Sequence, residues 1–163
     1  MALHIKTKFR AKGPKTLEQR ASVVASNIWK LAQEATRHME IEGYKIGGDR
    51  QVTAILTEFI AFQIQAADRL VYGKLTEEER ARFINELGRN LARLMDTNMT
   101  EFIGPGDYAG PFVATLNMRL ADYAEFEFST QGPSYAFLRY LGDKVSAAMA
   151  GTDNKWVLEQ VMD

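Results

Sequence analysis

Apolar residues along this 163-residue chain recur every three or four positions rather than every second one. That is the spacing of helices with one buried face. Leu17, Ala21, Val24, Ile28, Leu31, Ala35 and Met39 form the first stripe and predict a helix from about Thr16 to Glu42. Gly43 follows as a left-handed stop. Asp49 is placed to cap a second helix, which carries Val52, Ile55, Leu56, Phe59, Ile60, Phe62, Ala66, Ala67 and Leu70 and ends at Gly73. An apolar face this broad implies contact on more than one side, as in a central helix or a dimer helix.

The segment "TEEE" is a capping box, with Thr76 as N-cap and Glu79 three residues on. It opens a third helix with Phe83, Ile84, Leu87, Leu91, Leu94, Met95 and Phe102 on one face. Pro111 suits the first position of a fourth helix. That helix would bury Val113, Leu116, Leu120, Tyr123 and Ala124, with Glu127 in line, until "STQGP" ends it. Pro133 would open a fifth helix with Phe137, Leu138, Leu141, Val145, Ala148 and Met149 inward, stopped by Gly151. Asp153 can cap a short last helix with Trp156, Val157, Gln160 and Val161. "EFEFS" alternates but is too short to predict a strand.

Short connections make long helices antiparallel neighbours. The expected fold is therefore all-α: an up-down antiparallel bundle of four main helices, plus a fifth and a short C-terminal helix. Residues 1–15 read as a basic extended arm and residues 16–163 as a single domain.

Composition narrows the chemistry. With no cysteine, disulfides, thiolate metal sites and cysteine nucleophiles are excluded. A cytoplasmic location is the expectation, since no run reaches the ~18 apolar residues of a membrane span and the start lacks the apolar core of a secretory signal. The net charge of −1 conceals an asymmetry. Five of the 20 basic residues precede the first acid, Glu18, so 15 remain against 21 acidic ones in the body. In the arm, Leu3, Ile5 and Phe9 alternate with polar residues, and Lys6, Lys8 and Arg10 could reach over an acidic partner surface. Nucleic acid is a poor partner for so acidic a body, even with Arg82, Arg89 and Arg93 along one helix beside acids.

The most conspicuous stretch is "FIGPGDYAGPF", residues 102–112. A phosphate-binding loop needs converging backbone amides after a strand, followed by Lys and Ser or Thr. Here two prolines remove two amides and the next basic residue is Arg119. The stretch reads as a connector, with Asp107 and Tyr108 at an exposed crest where Tyr108 could make a contact.

Polar residues on apolar faces are the other candidates. Gln63 and Asn98 mark a polar spot inside the bundle, either a register-fixing hydrogen bond or part of a ligand pocket. Glu34 and His38 share one side of the first helix, as a metal pair or a surface ion pair. Glu58, Asp68, Asp122 and Glu125 fall away from the apolar faces on a helical wheel. The Glu-x-x-His elements of di-iron bundles are missing, as are nucleophile signatures, so no cofactor, metal or catalytic residue is expected. The leading expectation is a non-catalytic interaction or scaffold protein, a homodimer joined through Trp29 and Phe62. The alternatives are a bundle that binds a small ligand or metal in its interior, and weak nucleic-acid binding through the arm and the arginine stripe.

Overall fold

The computed structural model describes residues 15–44, 46–149 and 161–162. Among them are five helices: α1 (Leu17–Ile41), α2 (Gly48–Val71), α3 (Glu77–Phe102), α4 (Ala109–Tyr123) and α5 (Tyr135–Ala148). They pack on one another as an all-α bundle. The arm with Lys6, Lys8 and Arg10 lies outside the described residues, as does most of the short C-terminal helix. Val161 and Met162 are helical, and Val161 packs against the core.

α1 and α3 begin with the same device. Thr76 Oγ1 accepts from the Glu79 amide at 3.1 Å while the Glu79 carboxylate accepts from the Thr76 amide at 3.1 Å. Thr16 and Gln19 do the same for α1, so two of the orphan donors at each helix start are satisfied. Gly43 and Gly73 stop their helices at φ of 92° and 81°, which L side chains rarely adopt.

Three starts differ from expectation. Asp49 does not cap α2; Gly47 holds the N-cap position and Asp49 lies in the first turn. Pro111 is in the third position of α4, because the Asp107 carboxylate accepts from the Gly110 amide at 3.0 Å and starts the helix two residues earlier. Pro133 precedes α5, whose N-cap is Ser134. It belongs instead to a two-stranded antiparallel ribbon, β1 (Phe128–Ser129) and β2 (Gly132–Pro133), with Phe128 opposite Pro133. α4 has already ended at Tyr123, so Glu127 is exposed in the connection rather than aligned with Leu116 and Leu120.

α1 packs chiefly on α3, and α2 is touched by all four other helices. That explains the breadth of its apolar face within a single chain. Its C-terminal turn also ties elements together. Arg69 Nη2 donates to the carbonyls of Tyr123, Ala124 and Phe126 at 3.0–3.3 Å, closing the end of α4. Asp68 pairs with Arg80 at 2.7 Å, holding the start of α3.

The buried faces are close to those predicted but rotated. On α1 the buried apolar residues are Ala21, Ala25, Ile28, Trp29, Ala32 and Met39, while Leu31 is 55% exposed. Small alanines beside Trp29 on the same helix leave room for its large side chain in the core. Phe102 at the end of α3 is 60% exposed. In α4, Phe112 is buried and Val113 exposed. Phe62, Tyr123, Phe126, Phe128, Phe137 and Tyr140 form an aromatic cluster between α2, α4 and α5, with centroids 4.7–6.1 Å apart at its closest contacts.

Candidate functional site

Along α2, Arg50, Ala54, Thr57 and Glu58 stand three or four residues apart and so line one side of the helix. Phe112, Thr115 and Arg119 do the same on α4, and Lys144, Ala147 and Ala148 on α5. These three stripes face one cleft of about 860 Å³. The connector between α3 and α4 supplies its remaining wall through Ile103, Gly106, Asp107 and Tyr108.

The connector is thus more than a bend. Tyr108 does not stand at an exposed crest. Its ring folds back, half-buried, and its hydroxyl donates to the Gly104 carbonyl at 2.6 Å. Gly106 permits this, since a Cβ there would lie 3.1 Å from the tyrosine ring.

The cleft has a polarity gradient. At its mouth Asp49, Arg50 and Asp107 are exposed. At its inner end Glu58 is only 4% exposed. Arg119 Nε donates to both Glu58 carboxylate oxygens, at 2.8 and 2.9 Å. Burial pushes the Glu58 carboxyl above the ordinary carboxylate range, an effect that Arg119 and then Lys144 oppose. Burial works against the charge on Arg119 too, but Glu58 and Tyr140 outweigh it and hold the guanidinium protonated.

Behind the pair, the Tyr140 hydroxyl donates to Asp122. Burial, with that hydrogen bond second, pushes the Tyr140 phenol up to about 12. Lys144 lies over the Tyr140 ring, its ammonium 5.2 Å from the centroid. It makes no ion pair among the described residues. Tyr123 is fully buried beside this group, and its hydroxyl has no hydrogen-bond partner among the described residues. Burial and the Glu58 charge raise its phenol far above the usual tyrosine range.

The residues singled out from the sequence fall elsewhere. Glu58 was expected to fall away from the apolar faces rather than inside; it is instead buried, because α2 is surrounded by other helices and that side meets Arg119 of α4. Gln63 is half-buried with its Oε1 unpartnered. Asn98 is buried and donates to its own helix, at the Leu94 carbonyl, at 2.8 Å. Neither lines the cleft. Glu34 and His38 are exposed on α1, where His38 faces Glu42 at 3.9 Å. Trp29 is 0% exposed and offers no surface to a partner. Phe62 is spent on Tyr123 and Phe137. In the arginine stripe, Arg82 pairs with Glu18 and Arg89 with Glu86.

A second depression, of about 480 Å³, lies between α1, α2 and α3. Its floor is apolar, with Lys15, Arg20 and Lys74 exposed at the rim and no buried polar group in its lining. Among the described residues no helix is long and apolar enough to cross a membrane, and no group of three or more potential ligands could hold a metal ion. No protein family, no characterised protein and no solved structure matches the chain.

Proposed function

We propose that the protein is a helical bundle that binds a small molecule in the cleft between α2, α4 and α5. The observation that carries this reading is the pair of half-buried Arg119 and buried Glu58 at the inner end of a cleft whose walls mix apolar side chains with a few polar ones. A buried ion pair is often no more stabilising than apolar residues of the same size. Its position at a cleft floor, beside an unpaired lysine, is what a binding site requires: an apolar wall with a few convergent polar groups. The volume of about 860 Å³ lies in the range of small-molecule sites. Binding is favoured over catalysis because both Glu58 oxygens are engaged by Arg119.

The homodimer reading has less to support it. The wide face of α2 is used within the chain, and Trp29 and Phe62 are core residues.

The test is a native mass spectrum of protein purified gently from its own source, beside an Ala147→Trp variant. Ala147 is exposed on the cleft wall, so the indole would fill the cleft without disturbing the core. The expected result is a retained mass excess in the wild-type protein that the folded variant lacks. An equal mass excess in both would place the ligand elsewhere.

A further inference from the structure

We infer that the ligand of this cleft is an apolar monocarboxylate, its carboxylate anchored at the inner end on Lys144 and Arg119. This inference rests on the cleft being the binding site and adds what enters it.

The inner end holds three charged side chains: Glu58, Arg119 and Lys144. Glu58 and Arg119 neutralise each other through a direct contact of 2.8 Å. Lys144 is left half-buried, with the Tyr140 ring on one side and no carboxylate in ion-pair contact among the described residues. Asp122 bonds the Tyr140 hydroxyl, is exposed, and does not line the cleft. The inner end therefore carries one uncompensated positive charge. A half-buried cation without a counterion is unfavourable, and a bound anion relieves that cost.

The size of the charge follows. One excess cation matches one negative charge. A dianionic phosphate would bring a second charge into the same desolvated space with nothing to balance it. Arg119 uses Nε on Glu58 and also meets the Tyr140 hydroxyl, which leaves only the remaining N–H groups of its fork for a planar carboxylate. The Thr115 hydroxyl, half-buried on the α4 wall, can add a hydrogen bond.

The rest of the wall sets the body of the ligand. The rest of the lining includes Ala54, Tyr108, Phe112, Ala147 and Ala148, with Thr53 and Thr57, whose hydroxyls donate to carbonyls of their own helix. These offer apolar contact and few hydrogen bonds. At the mouth, Arg50 is exposed to solvent, and Asp107 accepts from the Gly110 amide. A ligand entering with its carboxylate first meets no strong anchor before Lys144.

The experiment measures binding of four probes to the full-length protein by calorimetry: octanoate, octanol, octylamine and octyl phosphate. Octanoate is expected to bind on the order of tenfold to a hundredfold more tightly than octanol or octylamine. Lys144→Gln should remove that advantage and leave octanol unchanged, while Lys144→Arg should keep it. Ala147→Trp should abolish binding of all four. If octanol or octylamine binds as tightly as octanoate and Ala147→Trp still blocks them, the carboxylate assignment is overturned and the cleft stands as the site. Tighter binding of octyl phosphate overturns the single-charge argument. Octanoate bound equally by the wild-type and Ala147→Trp proteins overturns the cleft reading itself. Failure of octanoate to bind at millimolar concentration overturns the inference as well.

Discussion

The contact between α1 and α3 and the contact between α2 and α4 are both helix pairs, yet they handle polarity in opposite ways. In α1 and α3 the buried hydroxyls and amide are satisfied inside their own helix: Ser26 on the Ser22 carbonyl, Thr36 on that of Ala32, Asn98 on that of Leu94, while the buried Trp29 indole N–H has no partner among the described residues. The interface itself is alanine, leucine, methionine and Trp29. In α2 and α4 the buried carboxylate of Glu58 is satisfied by Arg119, 61 residues away. The first pair can form from local preferences and packing. The second depends on two helices arriving in one arrangement, and a cleft opens beside it. A polar group satisfied locally costs little and does little; one satisfied across helices marks where the fold holds charge for a use.

The largest expected effect tests that contrast directly. Arg119→Ala strands a buried carboxylate and should cost about 3–5 kcal/mol, read from the urea midpoint. Glu58→Met with Arg119→Met should return stability to near the wild-type value or above it. A single variant that loses only ~0.5 kcal/mol, as a surface change would, erases the difference between the two regions.

Leu91→Ala, in the α1–α3 contact, should cost about 2–5 kcal/mol through the cavity it leaves. Its pH dependence sharpens the comparison. Glu58 has a folded-state pKa above its unfolded value of 4.5. The stability tied to its neutral form is therefore present below that value and is lost as pH rises through the folded pKa. Removing Arg119 lifts the folded pKa further, so the cost of Arg119→Ala should grow with pH over that interval. The cost of Leu91→Ala should stay flat.

Thr76→Ala removes one half of the capping box of α3 and should cost about 1 kcal/mol in thermal or urea unfolding. Asp122→Asn should change stability least. It removes the charged acceptor of the Tyr140 hydroxyl, so the phenol should titrate lower than about 12 in ultraviolet absorbance. It should remain above 10.0, because burial is the larger cause. An unchanged titration would mean that Asp122 plays no part in that environment.

The same contrast governs what could be read from the sequence. The α1 helix and the capping box at Thr76 were legible because they depend on residues three or four apart. The faces were legible to within a rotation, and Leu31 and Trp29 exchanged roles because the wheel weights size and not the close approach that Ala25 and Ala32 allow. The hairpin at Phe128–Pro133 was missed because two-residue strands leave no periodicity. The cleft was not legible at all. Glu58 looks like a solvent-facing acid until α4 is placed beside it, and nothing within reach of Glu58 in sequence announces Arg119. Gln63 and Asn98 looked more promising because they interrupt apolar stripes, which is a local signal.

The central place of α2 has a consequence for how the chain is made. That helix meets α1 and α3, which are made with it, and also α4 and α5, which come later in the chain. During synthesis the first three helices can assemble as soon as they emerge, but the surface that α4 and α5 cover, with Phe62 and the Glu58 carboxylate, stays wet until residues 109–148 follow. In the finished protein the amides of Ile55 to Ile64 can exchange with solvent only when the whole bundle opens, and they should be its slowest.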